Sequence, residues 1–444
     1  MKAISRFAGM AVMAALLLAS CAKNEPGLLS TISADTSIVA KVNLNKANIE
    51  GLASAVFGNI KVEMDELKEA VDVENVVMTM NYYRFFRMTI VPVKDEGALA
   101  KILEANSLTE TDNEELEGSK AWASKDLNVV VKDGIAHFAT NKVKVINAEI
   151  KYGEKAKTTI ADCSGVVKAL NADHMVNFSM VTTLCVEDKP TFTVGSIDVA
   201  DKLTCNFSSI YADGAVAESK VAQLINPDVL KYIPANAVVA YAFGWNGKEL
   251  DDNILKTITS QMHQDYAAVA STFWEYLKRL SGTTMIAVTC KPDATIADID
   301  SNPAGTVGVT VMAQMAEDDI RSTLDEIKTI MTVTGLQYSD AGNGLYSCKY
   351  GPLTAYFGAM NGYLMLSTSI PQASSSTENL TLHKNDEAWL QADLMNIGLN
   401  SDQKLGLMVS SNYADGKGLL EASFPGSGVP FMESLKKLGV KLGN

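Results

Sequence analysis

Histidine and paired cysteines are scarce in this chain. Only four histidines occur in 444 residues, and His137, His174, His263 and His383 are dispersed. The six cysteines form no CxxC pair, and none has a histidine at the spacing of a zinc site. We therefore expect no metal ion, no cofactor and few histidine-dependent active sites, and we interpret the protein as non-enzymatic.

A long apolar run is also lacking. The run Phe7–Ala19 has thirteen residues, whereas a membrane-spanning helix needs about 20. Because Lys2 and Arg6 precede it, the run is typical of the hydrophobic region of a signal peptide. It ends in Leu18-Ala19-Ser20-Cys21, which resembles the lipobox of bacterial lipoproteins.

This resemblance implies a processed and lipidated N-terminus. Residues 1–20 would be the signal peptide, Cys21 would become the first residue and carry a diacyl group such as palmitate on its thiol, and residues 21–27 would form a short tether. Lipoproteins of this type carry two or three acyl chains, which anchor them stably in a membrane. The alternative is an ordinary secreted protein that is cleaved nearby.

Basic residues are too few to balance the acidic ones. The chain has 38 Lys and Arg against 52 Asp and Glu, a net charge of −14. Removal of residues 1–20 would take away Lys2 and Arg6 and no acidic residue, which brings the net charge to −16. An acidic protein is a poor partner for nucleic acid and for anionic lipid headgroups. Membrane attachment is therefore expected from the lipid anchor.

What the chain does contain is an internal repeat. The segment Lys202–Gly214 recurs as Lys404–Gly416, and eight of the thirteen positions are identical. At the same offset Cys205 lies opposite Leu407, which favours a buried and unreactive role for the Cys205 thiol. Self-similarity at a fixed offset indicates duplication of a structural unit.

Two further pairs of segments repeat in the same order. Leu29–Ala40 resembles Leu230–Ala240 near the start of each half. Leu127–Thr140 and Thr354–Thr368 are each two apolar strands joined by a turn, with Asp-Gly in the first and Asn-Gly in the second. These dipeptides favour tight hairpins, because type I′ turns need positive φ at both central residues.

Together these patterns predict an α+β protein with two tandem homologous halves, residues 28–225 and 226–444. Each half is expected to be a mainly antiparallel sheet with helices packed on one face. In each half a strand and a helix precede the hairpin: Thr89–Val93 with Glu96–Glu104, and Val307–Met312 with Glu317–Met331. The clearest helix is predicted over Asn253–Leu280, because Ile254, Ile258, Met262, Val269, Phe273, Leu277 and Leu280 recur at helical spacing.

One candidate binding site is an aromatic and basic hexapeptide. It consists of Tyr82, Tyr83, Arg84, Phe85, Phe86 and Arg87. In a strand, each face would carry rings beside a cation and could bind a glycan or a partner strand. The alternative is an amphiphilic strand whose arginine stems cover the sheet.

The repeated Tyr-Ala-Asp-Gly sequence is a second candidate. Tyr211 and Asp213 in the first copy, with Tyr413 and Asp415 in the second, would form a paired ligand site. The alternative is a demanding turn at which each tyrosine packs on its surroundings.

Catalytic patterns are weak. Ser434 and Ser401 each fit Ser-x-x-Lys, but the companion motifs of penicillin-interacting enzymes are not present in full. Gly426-Ser427-Gly428 lacks the spacing of a nucleophile elbow. The acidic segment Lys291–Asn302 does not match an EF-hand loop and is interpreted as a solvated loop.

The lipobox, the acidic chain and the paired starts of the two halves resemble duplicated envelope lipoproteins of Bacteroidetes, for which no activity is assigned. Our leading hypothesis is a membrane-tethered, non-enzymatic binding or scaffold protein with an envelope protein or glycan as partner. In that phylum several acidic residues directly after the lipidated cysteine tend to mark export to the cell surface. Since Ala22-Lys23-Asn24-Glu25 holds only one acid beside one base, the resemblance favours the periplasmic face of the outer membrane. An envelope hydrolase with an unidentified nucleophile and a carrier of a hydrophobic ligand are the alternatives.

Overall fold

The computed structural model describes residues 26–46, 52–58, 60–81, 86–183, 190–217, 219–259, 264–371, 385–400 and 402–438. The chain forms two compact units. The first comprises the described residues up to Ala217 together with those from Val429 onward, and the second lies between them and ends at Gly428. The sequence prediction placed the whole C-terminus in the second half.

Within the described residues, ten strands form the sheet of the first unit. They are β1 Ile38–Val42, β2 Val76–Asn81, β3 Phe86–Pro92, β4 Thr109–Thr111, β5 Ser119–Ala123, β6 Asn128–Lys132, β7 Ile135–Ala139, β8 Val176–Thr183, β9 Thr191–Val199 and β10 Lys202–Tyr211. Their order is β4-β5-β6-β7-β3-β2-β1-β8-β9-β10, and every pairing is antiparallel. The antiparallel sheet is confirmed here.

The described helices of the first unit come from the N-terminal part of the chain, apart from one at the end of the chain. They are α1 Pro26–Leu29, α2 Leu52–Val56, α3 Met64–Ala70, α4 Glu96–Ala105, α5 Val143–Glu154, α6 Ser164–Leu170 and, at the C-terminus, α12 Phe431–Lys437. The amide of Phe431 donates to the carbonyl of Ala200 at 3.0 Å, which joins α12 to the turn between β9 and β10.

The prediction that helices cover one face of the sheet is wrong for the first unit. The Thr89 hydroxyl donates to the Val56 carbonyl at 2.6 Å, so α2 lies on the face of Thr89. Ile146 of α5 packs in one core with Ile90, which points to the opposite face of the same strand. The physical reason is that strands such as Val76-Val77-Met78 are apolar at successive positions, and both faces therefore need cover.

The described part of the second unit contains eleven strands. They are β11 Ala222–Gln223, β12 Ala237–Asn246, β13 Leu280–Cys290, β14 Val307–Met315, β15 Tyr338–Gly342, β16 Leu345–Tyr350, β17 Leu353–Met360, β18 Tyr363–Ser367, β19 Ala388–Leu394, β20 Leu407–Ala414 and β21 Lys417–Ser423. Their order is β15-β16-β17-β18-β14-β13-β12-β19-β20-β21, with β11 paired to the end of β12. Again every pairing between these strands is antiparallel.

The described helices of the second unit are α7 Asp252–Thr259, α8 Gln264–Arg279, α9 Ile296–Ser301, α10 Pro303–Thr306 and α11 Glu317–Val333. Two of them, α8 and α11, are long. The single helix predicted over Asn253–Leu280 is therefore α7 and α8, with residues 260–263 outside the described part, and Leu280 already begins β13. Ile320 and Leu324 of α11 pack against Phe357 of the sheet.

The predicted hairpins are confirmed. β6 and β7 are joined by Asp133 and Gly134, with φ of 51° and 73°. β17 and β18 are joined by Asn361 and Gly362, with φ of 51° and 83°. These positive φ values are the ones that a type I′ turn requires.

Candidate functional sites

The aromatic and basic hexapeptide lies largely outside the described residues, since only Phe86 and Arg87 are placed. Phe86 begins β3 and is buried on the face that carries Met88 and Ile90. The Arg87 guanidinium donates to the Ala55 carbonyl at 3.1 Å on the other face, and burial lowers the pKa of Arg87. The placement of Arg87 is consistent with an amphiphilic strand whose arginine stems cover the sheet. Phe86 instead lines a cavity.

The two Tyr-Ala-Asp-Gly sequences form turns at different places in the two units. Tyr211 ends β10, and Asp213 accepts a hydrogen bond from the Ala215 amide at 3.0 Å. Tyr413 lies near the end of β20, and Asp415, with φ of 51°, forms the turn to β21. In the two strand orders β20 corresponds to β9, not to β10. The tetrapeptides are therefore not equivalent in position, and neither are Cys205 in β10 and Leu407 in β20.

A cavity of about 100 Å³ lies in the first unit between the sheet and α5. Its apolar wall comes mainly from alternate residues of β3 and from α5. The lining comprises Thr31, Ile32, Ser33, Thr36, Thr79, Asn81, Phe86, Met88, Ile90, Lys132, Asp133, Ile135, His137, Glu149, Ile150, Tyr152, Gly153 and Glu154. Helix α5 comes close to the 31–33 segment because residue 153 is glycine: a Cβ there would lie 1.8 Å from the Thr31 carbonyl oxygen.

Several polar side chains line this cavity while being more than nine-tenths buried. Ser33 is 8% exposed and Thr36 is 9% exposed. Within the described part of the chain neither hydroxyl forms a hydrogen bond. Thr79 donates to the Met88 carbonyl only at 3.4 Å, and Asn81 is 7% exposed. The cavity therefore combines an apolar wall with hydroxyl and amide groups.

His137 adds a neutral imidazole to the lining. Burial lowers its pKa to about 4, against the opposing effect of the Val130 and Ile135 carbonyls. Its Nδ1 lies 3.3 Å from the Val130 carbonyl oxygen, which only accepts, so the neutral ring carries its proton on Nδ1. The other ring nitrogen is then a hydrogen-bond acceptor. No hydrogen bond joins His137 to Ser33, so these described residues form no nucleophile–base pair.

Four charged residues line the cavity, namely Lys132, Asp133, Glu149 and Glu154. Lys132 forms an ion pair with Glu154, and the Tyr152 hydroxyl donates to the Asp35 carboxylate at 2.5 Å. The second carboxylate oxygen of Asp35 is buried and has no hydrogen-bond partner among the described residues. Sequence reasoning missed this site. Its one signal was the placement of Thr79 and Asn81 at alternate positions of the otherwise apolar strand β2.

A different kind of site lies on the long helix pair of the second unit. Arg279, at the end of α8, donates to both Glu326 carboxylate oxygens at 2.8 and 3.0 Å, and to the Thr323 hydroxyl at 3.0 Å. The Tyr276 hydroxyl donates to Glu326 at 3.1 Å. These hydrogen bonds join the C-terminal end of α8 to the middle of α11.

Beyond these contacts the helix pair exposes large apolar side chains. Tyr266, Val269 and Phe273 of α8 are 71%, 69% and 61% exposed, at spacings of three and four residues. Ile330 and Val333 of α11 are 55% and 82% exposed. We name these five residues the apolar stripe. The helical periodicity of α8 was visible in the sequence, but it gave no sign that Val269 and Phe273 point to solvent.

A shallow groove lies mainly along α11, next to Tyr276 of α8. It has a volume of about 620 Å³ and is lined by Tyr276, Asp318, Arg321, Ser322, Asp325, Glu326, Thr329 and Ile330. Three of these residues are acidic and one is basic. Hydrogen bonds from Arg279 hold the pKa of Glu326 below its usual range, so Glu326 is ionised at neutral pH. Each of the three carboxylates has a cationic partner, since Arg279 pairs with Glu326, Arg321 with Asp318 and Lys328 with Asp325. Of the apolar stripe, Ile330 lines this groove.

The remaining sequence candidates lie apart from both sites. Ser434 is buried in α12 with an unpartnered hydroxyl, and Ser401 lies outside the described residues. In the acidic segment, Asp298 caps α9 with Thr295, and Asp293 pairs with Lys404 at 2.8 Å. Among the described residues no cluster of His, Cys, Asp and Glu is able to hold a metal ion.

Four of the six cysteines lie within the described residues. Cys163, Cys205, Cys290 and Cys348 are free, and burial raises the pKa of Cys205 to about 11. Within the described ranges no helix is both long enough and apolar enough to cross a membrane. Cys21 and Cys185 lie outside those ranges.

The chain matches no protein-family model and no curated protein. Among solved structures, crystal form IV of TP0453 is similar with a TM-score of 0.28 and 9% identity, over 40% of this chain and 79% of that chain. Crystal form I of TP0453 gives a TM-score of 0.29 and 8% identity, over 44% of this chain and 82% of that chain. These TM-scores are too low to support a conclusion about fold or function.

Proposed function

We propose that the protein is a membrane-tethered envelope lipoprotein with a non-enzymatic binding role, and that its second unit docks a partner on the pair α8–α11. The exposure of the apolar stripe carries this proposal. Burying one large apolar side chain stabilises a complex by about 1.5–3 kcal/mol. Grouped exposed apolar residues of this kind mark interaction sites, whereas single ones do not.

The partner that fits this surface is an amphipathic helix of a protein. Tyr266, Val269 and Phe273 are spaced as one side of a helix, and a third helix laid along the groove would bury them together with Ile330 and Val333. Polar side chains on that helix would face the ion-paired side chains of the groove. The net charge of −14 disfavours an anionic membrane surface as the occupant.

The tether rests on the sequence alone. Lipidation of Cys21, with residues 1–20 as signal peptide, would hold both units at the periplasmic face of the outer membrane. Two or more acyl chains supply the stable attachment that an acidic protein lacks.

Duplication of one unit is the simplest origin for this architecture. Each unit runs through ten strands in a corresponding order, with a hairpin, a strand and a helix at matching places. The repeated segment ending in Tyr-Ala-Asp-Gly does not add support, because its copies fall on β10 and β20.

The anchor is tested with the Cys21→Ala variant in its native host. We expect the natural chain to incorporate labelled palmitate and to sediment with outer membranes, and the variant to lose both properties. A variant that keeps the label and the membrane location would overturn the lipid-anchor proposal.

The docking role is tested by photo-crosslinking in whole cells. A photoreactive residue at Phe273 is compared with one at Leu224, an exposed apolar residue of the same unit that lies outside the stripe. We expect one protein to crosslink from Phe273 and not from Leu224. Equal products from the two positions, or a product that contains lipid or glycan instead of protein, would contradict the proposal.

A further inference from the structure

We infer that the cavity of the first unit is a binding site for a small uncharged molecule that carries hydroxyl or amide groups on a short apolar frame. This site is independent of the docking surface, since all its lining residues lie between Thr31 and Glu154. It therefore adds a ligand to a protein whose proposed role concerns a macromolecular partner.

The hydroxyls of Ser33 and Thr36 have no hydrogen-bond partner among the described residues. Ser33 and Thr36 are 8% and 9% exposed, and neither makes a hydrogen bond with a described residue, although both line the cavity. Neither oxygen is among the fully buried, unpartnered atoms of the described residues, so both hydroxyls are accessible. Because both residues line the cavity, water or a ligand in the cavity is placed to satisfy these hydroxyls.

The cavity also has an apolar wall. Phe86, Met88, Ile90 and Ile150 line the same space as the hydroxyls. Ordered water needs two to four polar partners, which an apolar wall does not offer on every side. A molecule with both kinds of surface satisfies the hydroxyls and also contacts the wall.

Charge and size define the ligand class. Lys132 is paired with Glu154, and His137 is neutral above its pKa of about 4. The other charged residues of the lining, Asp133 and Glu149, are acidic, so the lining disfavours an anion. The acceptor nitrogen of His137 calls for a ligand that donates a hydrogen bond. Since a cavity of about 150 Å³ accommodates benzene, 100 Å³ suits about five non-hydrogen atoms, as in a short diol. That size limits the affinity to about micromolar at best.

The test uses propane-1,2-diol as the probe and the methyl resonance of Met88 as the reporter, in the full chain labelled at methionine methyl groups. Lactate, a charged molecule of similar size, serves as the matched ligand control. We expect saturable shifts of Met88 with the diol and none with lactate. The inference is wrong if the diol causes no saturable shift, or if lactate binds equally well.

Variants connect the binding to the hydroxyls. Ser33→Ala and Thr36→Val remove one hydroxyl each with little change of volume, and each is expected to weaken diol binding about fivefold. The control is Ser179→Ala, which removes another buried, unpartnered hydroxyl of the first unit that does not line the cavity. Unchanged thermal unfolding verifies that each variant is folded. Equal weakening in all three variants would overturn the assignment to Ser33 and Thr36.

Discussion

The guanidinium of Arg279 and the carboxylate of Glu326 form a two-point hydrogen-bonded ion pair, at 2.8 and 3.0 Å, that joins α8 to α11. Each group is only partly exposed, with side-chain exposures of 23% and 37%. The planar guanidinium and carboxylate fix the relative orientation of the helices as well as their contact.

Removal of this ion pair is expected to lower the free energy of unfolding by an amount that depends on pH. The hydrogen bonds from Arg279 lower the folded-state pKa of Glu326, so the pair stabilises the fold above the unfolded pKa of about 4.3 and loses its effect as pH falls through the folded pKa. We expect Glu326→Gln to lower the free energy of unfolding by up to about 1 kcal/mol at pH 7, a value reduced by solvent screening. Urea unfolding at pH 7 and below pH 3 measures this.

The matched control for that variant is Glu104→Gln, at an exposed position of α4. We expect it to change stability by less than about 0.5 kcal/mol at either pH. A loss in Glu326→Gln that is the same at both pH values would show that the charge of Glu326 does not stabilise the helix pair.

His137 makes the stability of the first unit depend on pH. Its folded pKa of about 4 lies below the unfolded value of about 6.5, so between these values the unfolded chain binds a proton that the folded chain does not. Stability therefore falls as pH decreases from about 6.5 to 4, by about 3 kcal/mol. In His137→Gln this component disappears, and the free energies of unfolding of the two proteins converge toward low pH. Parallel pH profiles would refute the buried neutral imidazole.

The apolar stripe is expected to contribute almost nothing to folding. Replacing both Val269 and Phe273 by Lys should change the free energy of unfolding by less than about 0.5 kcal/mol, because both side chains are exposed and Lys is compatible with a helix. Leu324→Ala, at a buried position of α11, should cost about 2–5 kcal/mol. A large loss of stability in the double Lys variant would mean that the stripe belongs to the core.

The first Tyr-Ala-Asp-Gly turn packs directly on α6. The Gly165 amide donates to the Ala212 carbonyl at 2.8 Å, and a Cβ on Gly165 would lie 2.3 Å from the Gly214 Cα. We expect Gly165→Ala to destabilise the first unit by about 1–3 kcal/mol, despite the higher helix propensity of Ala. Gly27→Ala, where a Cβ meets nothing within 4 Å, is the control and should be neutral. Equal unfolding curves for both variants would contradict the close packing.

Local turn chemistry made some elements predictable. Asp133-Gly134 and Asn361-Gly362 specify their hairpins because few other residues adopt positive φ, and the helices after β3 and β14 follow from periodic apolar residues. Such signals depend on neighbouring residues only.

Long-range packing was not predictable in the same way. The match of residues 202–214 with 404–416 is real in sequence, but strand pairing places the copies one strand apart in the two sheets. The lone turn tetrapeptide does not reveal which strands it connects. Likewise the periodicity of α8 identifies a helix but not the side that the sheet covers, and Val269 and Phe273 consequently remained unrecognised as surface residues.

The cavity escaped prediction for a related reason. Ser33, Thr36 and His137 come from separate segments, and each is an ordinary residue in its local sequence. They meet only because β1, β2, β3 and β7 are paired in an order that differs from their chain order and because α5 covers them.

Photo-crosslinking in whole cells from Val269 on α8 and from Val333 on α11 tests most directly whether the two helices bind one partner. The linked residues of the partner are identified by mass spectrometry. We expect both positions to link to the apolar side of one helix of one protein. Links from the two positions to different molecules, or to lipid alone, would contradict the docking proposal.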